Sequence, residues 1–218
     1  MELKLKIPTC LSEITLKQYK AFLKVQETEK NDKIYNAKVI NIFCKVKMED
    51  VMLLKLNDVT EITNIIYKLF DQKPSLVSKF KLNGVEYGFI PQLDDISFGE
   101  YIDLDTYIGD WDNIDRAMNV LYRPILVKLK EKYSIDNYVI ENHKNLEDMP
   151  MNAVLSSIFF LLNLGIELST VMMNYLDQNK EIDKDLINSV NLGKNGVGIN
   201  QYTHSLKAIL DDLKISQN

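Results

Sequence analysis

Acidic side chains gather around the only tryptophan of the chain. Residues 94–113 contain seven carboxylates, no basic residue, and Trp111. Carboxylates at this density suggest a metal site or a catalytic site. A calcium loop that began at Asp103 would need an oxygen ligand fifth and a glycine sixth, but Tyr107 stands fifth and the glycine comes seventh. The spacing therefore excludes an EF-hand.

Helix caps and a solvated helix face account for these acids without any chemistry. Glu100 and Asp103 lie on one side of a helix that begins after Ser97. Later acids fall at the start of the next helix, where the positive end of the helix dipole stabilises carboxylates. The other interpretation is a protein-contact surface, because interfaces are enriched in Trp and Tyr. The candidate interface residues are Tyr107, Asp110, Trp111 and Asp112, with Leu206 and Leu210 of an amphipathic C-terminal helix.

Other reactive side chains are sparse. Cys10 and Cys44 match neither a disulfide framework nor a zinc site, which indicates buried thiols in a reducing compartment. His143 and His204 lie far in sequence from any nucleophile motif, although distance in sequence leaves a hydrolase open. The glycine-rich residues 192–200 lack the Gly-Lys-Ser/Thr of a P-loop. We therefore assign no catalytic, metal-binding or cofactor-binding residue, and expect a protein that is not an enzyme and uses no cofactor.

Composition limits the classes of partner. Lysines and acids are mixed along all 218 residues, the net charge is -5, and only two arginines occur. No basic stripe is present for phosphate backbones, so we expect no direct nucleic-acid recognition. Residues 149–166 are uncharged but fall short of the roughly 20 residues of a bilayer span, which predicts a buried helix and no membrane span. The first residues lack the apolar core of a signal peptide, which favours a cytoplasmic protein.

The same signal for the start of a helix occurs twice. Residues 4–22 and 87–104 share Ile-Pro, a short gap, and an N-cap residue that is followed three positions later by Gln or Glu. This is the capping box. An isoleucine directly before each N-cap residue and a tyrosine four residues after the N-cap residue form a hydrophobic staple. The predicted pairs are Thr15 with Gln18 and Ser97 with Glu100. Duplication and convergence explain the repeat equally well.

Hydrophobic periodicity predicts a mostly α-helical chain with a small antiparallel sheet, an α+β fold. Short strands are expected near residues 2–7, 79–82 and 85–90, the last two joined by a tight turn at Asn83-Gly84. We expect a single compact unit over residues 1–218, with possible sub-modules 1–92 and 93–218. About eight or nine helices are predicted, at residues 16–25, 32–45, 49–54, 58–70, 98–108, 113–130, 150–177, 182–192 and 200–213.

One of these predicted helices, residues 113–130, contains a proline. Pro124 should kink or split that helix, because it removes a backbone hydrogen bond. The neighbouring Arg123 is surrounded by apolar residues and is predicted to pair with one of the acids around Asp103 to Asp115. Such a pair would tie the acidic stretch to the core.

Four segments together resemble a family of small virion and morphogenesis proteins of tailed bacteriophages, including marine and crAss-like phages. They are "IPTCLSEITLKQYKAFLKV", "GFIPQLDDISFGEYIDLDTYIGDW", "AMNVLYRPI" and "NGVGINQYTHSLKAILDDL". The likeness extends over most of the chain, and its motifs are structural. The resemblance implies a structural protein of the tail, the connector or the packaged cargo that forms multi-copy assemblies with other virion proteins. The alternative is a tail assembly chaperone that is absent from the mature virion, and a small phage enzyme is a distant third. It places the protein in the host cytoplasm during assembly and in the virion thereafter.

Overall fold

The computed structural model describes residues 5–130, 132–140 and 144–178. Over these residues the chain has the predicted α+β fold, with seven α-helices and one four-stranded antiparallel sheet. The helices are α1 (Leu16–Thr28), α2 (Asp32–Cys44), α3 (Met48–Val51), α4 (Leu56–Phe70), α5 (Phe98–Tyr107), α6 (Ile114–Leu121) and α7 (Met151–Gln178). The strands are β1 (Lys79–Leu82), β2 (Val85–Phe89), β3 (Tyr122–Leu129) and β4 (Lys132–Ile135).

Some predictions concern residues outside the described ranges. The helices predicted at residues 182–192 and 200–213 lie there, and with them the candidate interface residues Leu206 and Leu210. Of the strand predicted at residues 2–7, the described part, residues 5–7, belongs to no strand. The sheet takes its other strands from later in the chain instead.

Both predicted capping boxes are confirmed. At the start of α1, Gln18 N donates to Thr15 Oγ1 at 3.2 Å, and Thr15 N donates to Gln18 Oε1 at 3.1 Å. At the start of α5, Glu100 N donates to Ser97 Oγ at 3.3 Å, and Ser97 N donates to Glu100 Oε2 at 2.7 Å. Each box satisfies two backbone donors that a helix start would otherwise leave without a partner.

The surroundings of the two helix starts differ. Ile14 and Tyr19, the apolar residues that flank the first cap, are completely buried. The corresponding residues at α5 are half-buried Ile96 and exposed Tyr101. The same local device therefore begins one helix in the core and another at the surface.

The sheet has the strand order β1-β2-β3-β4. The predicted hairpin between β1 and β2 is confirmed, and Asn83 and Gly84 at its turn both have positive φ, 51° and 80°. Such backbone angles match the right-handed twist of the flanking strands. Since β1 and β2 precede residue 92 and the other strands follow it, the sheet joins the two predicted sub-modules.

The helix predicted over residues 113–130 is wrong beyond Leu121. There α6 ends and β3 begins, and Pro124, instead of kinking a helix, lies where β3 changes partner from β2 to β4. The physical reason is that proline disfavours the α conformation of the residue before it. The Ile-Leu-Val run that follows suits a strand.

The long helix predicted at residues 150–177 is confirmed as α7, whose first three turns are buried in the core. Two buried serines there have hydrogen-bond partners. Ser157 Oγ donates to Val154 O at 2.8 Å, while Ser156 Oγ donates to Ala153 O at 3.1 Å and accepts from Val77 N at 3.0 Å. None of the described helices combines the length and the hydrophobicity that crossing a membrane requires.

Candidate protein-contact surfaces

Trp111, the centre of the acidic stretch, packs against the core. Its ring centroid lies 4.8 Å from that of the fully buried Tyr19, and the side chain is half-buried. Its indole Nε1 is buried without a hydrogen-bond partner. The core therefore covers part of Trp111, which the sequence had named as a candidate interface residue. The polar residues beside it in sequence gave no indication that α1 lies across its ring.

The two aspartates beside Trp111 differ in role. Asp110 closes the turn between α5 and α6, since its carboxylate accepts from Asp112 N at 2.9 Å and from Asn113 Nδ2 at 2.6 Å. Asp112 is exposed and lies 3.4 Å from the ammonium of Lys24, itself exposed. Exposed pairs of this kind contribute little to stability. Asp110 is thus explained by local folding, whereas the Asp112 carboxylate remains exposed beside Lys24.

A largely buried lysine lies beneath this turn. Lys20 Nζ donates to Asp115 Oδ1 at 2.6 Å and to the backbone oxygen of Asp112 at 2.8 Å, and Glu147 is 3.8 Å away. Lys20 and Trp111 together line a cleft of about 350 Å³. Because two carboxylates already compensate the ammonium, the cleft offers little net positive charge to an anionic ligand.

Arg123 pairs with Glu100 of α5. Its Nη2 donates to Glu100 Oε1 at 2.7 Å, and both side chains are nearly covered. Glu100 lies three residues before the acids around residues 103–115 that the sequence indicated, and it belongs to the same acidic stretch. The capping box explains the choice, because the bond from Ser97 N holds the Glu100 carboxylate at the start of α5.

Two further polar side chains of α5 have partners within the chain. Tyr107 Oη accepts from Arg116 Nη1 at 3.0 Å, and the guanidinium carbon lies 5.0 Å from the tyrosine ring centre. Tyr138 donates its hydroxyl hydrogen to the Asp103 carboxylate. Burial raises the pKa of Tyr138, and the Asp103 carboxylate raises it further, so the phenol remains a donor. Tyr107 and Asp103 are thus tied to neighbouring segments.

Metal-binding side chains are not clustered in the part of the chain described. No group of three or more His, Cys, Asp or Glu residues is arranged there to hold a metal ion. Burial raises the pKa of the Cys44 thiol to about 11, which keeps it protonated and a poor nucleophile. Cys10 lies against the Ser12 hydroxyl, with 3.0 Å between Sγ and Oγ.

One apolar surface is the exposed side of α5. Phe98, Tyr101 and Ile102 are 77%, 42% and 45% exposed and are spaced as one side of a helix. Ile140, also exposed, extends this surface, because its Cδ1 would lie 3.6 Å from a Cβ at Gly99. We call these four residues the α5 face.

A second apolar surface is the far end of the β3–β4 hairpin. β2 pairs with β3 only as far as Pro124, whereas the rest of β3 pairs with β4 alone. Beyond that point Leu126, Val127 and Leu129 are 61%, 61% and 74% exposed. Exposed lysines accompany them: Lys128, Lys130 and Lys132. We call residues 126–130 and 132–134 the hairpin arm.

Sequence reasoning singled out neither of these two exposed apolar surfaces. Phe98 and Ile102 have the spacing of a helix face, but spacing does not show whether another element covers that face. The hairpin arm was hidden inside a predicted helix, although the aliphatic run after Pro124 is a signal for a strand.

Comparison of the chain with protein-family models, with curated proteins and with solved structures finds no match.

Proposed function

We propose that this protein is a non-enzymatic structural protein of a tailed-bacteriophage virion that binds other virion proteins through the α5 face and the hairpin arm. The observation that carries the proposal is the exposure of large apolar side chains on both surfaces. Contiguous exposed apolar residues are typical of contact sites, because leaving them in water costs free energy that a partner would recover. The origin in a phage virion is supported by the sequence resemblance.

The mixed character of the two surfaces suits assembly with proteins. The α5 face combines an aromatic anchor, Phe98, with neighbouring acids, and the hairpin arm combines aliphatic residues with lysines. Aromatic anchors supply much of the binding energy at interfaces, while surrounding charges select the partner. On this proposal the protein is made in the host cytoplasm and kept in the particle.

The direct test is quantitative mass spectrometry of purified phage particles. A structural protein is expected in every particle at a fixed ratio to the major tail or capsid subunit. If the protein is missing from particles, the virion proposal fails. Co-purification from infected cells with an unassembled tail protein would then favour the tail assembly chaperone, which needs similar apolar surfaces.

A matched pair of phage variants tests the role of the α5 face. Phe98→Asp should reduce incorporation into particles at least tenfold, because it places a charge at the centre of the contact. Leu53→Asp is the control, since Leu53 is 80% exposed at the turn after α3 and lies outside both surfaces. Equal incorporation of the two variants would argue against the α5 face as a virion contact.

A further inference from the structure

We infer that the hairpin arm of one copy of this chain docks onto the α5 face of a second copy. The inference rests on the proposed function in that it takes both surfaces as protein contacts, and it names the partner as the same chain. The contact joins two different surfaces, so an open chain of copies keeps one free arm at one end and one free face at the other until a ring closes.

Charge complementarity identifies the partner. Residues 126–134 contain three lysines against one acid, Glu131. Lys128 is already paired with Glu86 of β2, so Lys130 and Lys132 carry the positive charge that the arm offers to a partner. Residues 94–107 contain five acids and no base, and of these Glu100 is already paired with Arg123. Asp94 and Asp95 are exposed beside the α5 face, and Asp105 is half-buried on it. A basic arm therefore meets an acidic face, which favours this encounter over others.

The same charges disfavour the two symmetric alternatives. Two hairpin arms that paired edge to edge would bring their lysines together, and lysine on an exposed strand is a common obstacle to such pairing. Two α5 faces in contact would bring together Asp94 and Asp95 of both copies. Only the contact between unlike surfaces places opposite charges next to each other.

The two surfaces also match in length and chemistry. The ten residues of α5 extend about 15 Å along the helix axis. The four β3 residues in the arm extend roughly 13 Å. Leu126, Val127 and Leu129 would lie against Phe98, Tyr101 and Ile102, so that aliphatic side chains cover an aromatic-rich helix side. Burial of these apolar side chains drives association, and the charges set its orientation.

The mass of the chain in solution tests the inference, with two variants that each disable one surface. The arm variant is Leu126→Ser with Leu129→Ser, and the face variant is Phe98→Ser with Ile102→Ser. Light scattering after size-exclusion chromatography should show the unmodified chain rising above 25.2 kDa with concentration. Each variant alone should stay at that mass. An equal mixture should form a species of twice the mass that grows no further, because it retains one intact arm and one intact face.

Other results would overturn the inference. If the unmodified chain remains at 25.2 kDa at every concentration, there is no self-association. If the face variant alone still dimerises, the contact is arm to arm, and if the arm variant alone does so, it is face to face. Circular dichroism verifies that each variant is folded. A chain that is monomeric yet present in particles removes the self-docking and leaves the proposed function standing.

A charge exchange provides a second test that leaves the apolar residues unchanged. Lys130→Glu should weaken self-association about tenfold, which corresponds to about 1.4 kcal/mol. Adding Asp95→Lys to the same chain should restore most of the loss. Both residues are exposed, so neither change disturbs the core. If Asp95→Lys does not restore the self-association that Lys130→Glu weakens, the pairing of arm and face is contradicted.

Discussion

Arg123 of β3 and Glu100 of α5 form an ion pair, 2.7 Å from Nη2 to Oε1, with side chains only 12% and 8% exposed. The other oxygen of Glu100 accepts from Ser97 N, also at 2.7 Å. One carboxylate therefore caps α5 and fastens it to the sheet beside it. The α5 face is held in place from its buried side by this pair.

Removing one partner of this pair should be costly, because the other charge remains buried. We expect Arg123→Met to lower the free energy of unfolding by about 3 kcal/mol. Combining it with Glu100→Gln should cost clearly less than the sum of the two single changes. Urea unfolding of the four chains measures this coupling. Single effects that add within about 0.5 kcal/mol would show that the two residues act independently.

Trp111 should behave as a core residue. We expect Trp111→Ala to lower the free energy of unfolding by about 2 to 3 kcal/mol, somewhat below the range for fully buried aromatic residues. Trp111→Phe should lose much less, because a ring still packs against Tyr19. Asp112→Asn is the matched control at an exposed neighbour, with an expected change within about 0.5 kcal/mol. An unchanged urea midpoint for Trp111→Ala would refute the core assignment.

Gly88 on β2 should not tolerate a side chain. A Cβ there would overlap the Tyr133 ring and lie 3.0 Å from Ile125 Cγ1, while the Tyr133 hydroxyl is held by Phe89 O at 2.7 Å. We expect Gly88→Ala to cost about 1 to 3 kcal/mol through overpacking.

The same change at another glycine provides the control for Gly88. A Cβ at Gly99 in α5 would make ordinary contacts, 3.4 Å or more from its neighbours, so Gly99→Ala should be neutral or slightly stabilising. Thermal unfolding compares the two variants. Equal melting temperatures would mean that Tyr133 moves aside without cost. In a Tyr133→Ala background, the penalty of Gly88→Ala should largely disappear.

Alkaline pH should destabilise the fold through Tyr122. Burial raises the pKa of this phenol above its ordinary value of 10, and its hydroxyl donates to Val77 O at 2.8 Å. Because the folded pKa is the higher one, the stability contributed by neutral Tyr122 is complete below 10 and is lost as pH rises through the folded pKa.

Comparing unfolding free energies near neutral pH and above the ordinary tyrosine pKa isolates this effect. Tyr122→Phe should cost about 1 kcal/mol near neutral pH through its lost hydrogen bonds. Above the ordinary pKa its stability should fall less steeply than that of the unmodified chain. Tyr101→Phe, at an exposed position, is the control. If the unfolding free energies of the unmodified chain and Tyr122→Phe fall in parallel with pH, Tyr122 is not the cause of the alkaline destabilisation.

Local signals in the sequence determined the starts of α1 and α5, the turn at Asn83-Gly84 and the buried helix α7. Each of these depends on residues a few positions apart, or on a long apolar run, so a linear pattern contains the necessary information. The four residues of the two capping boxes adopt the predicted hydrogen bonds for this reason.

Only the tertiary structure decided which acid pairs with Arg123, what covers Trp111 and where β3 replaces a helix. These outcomes depend on elements far apart in sequence: Glu100 lies on α5, Tyr19 on α1, and β3 gains its hydrogen bonds from β2 and β4. The apolar residues of α5 and of the hairpin arm have ordinary spacing. They are exposed because no described element packs over them. Whether an element covers a given helix or strand face depends on the whole fold, not on the local sequence.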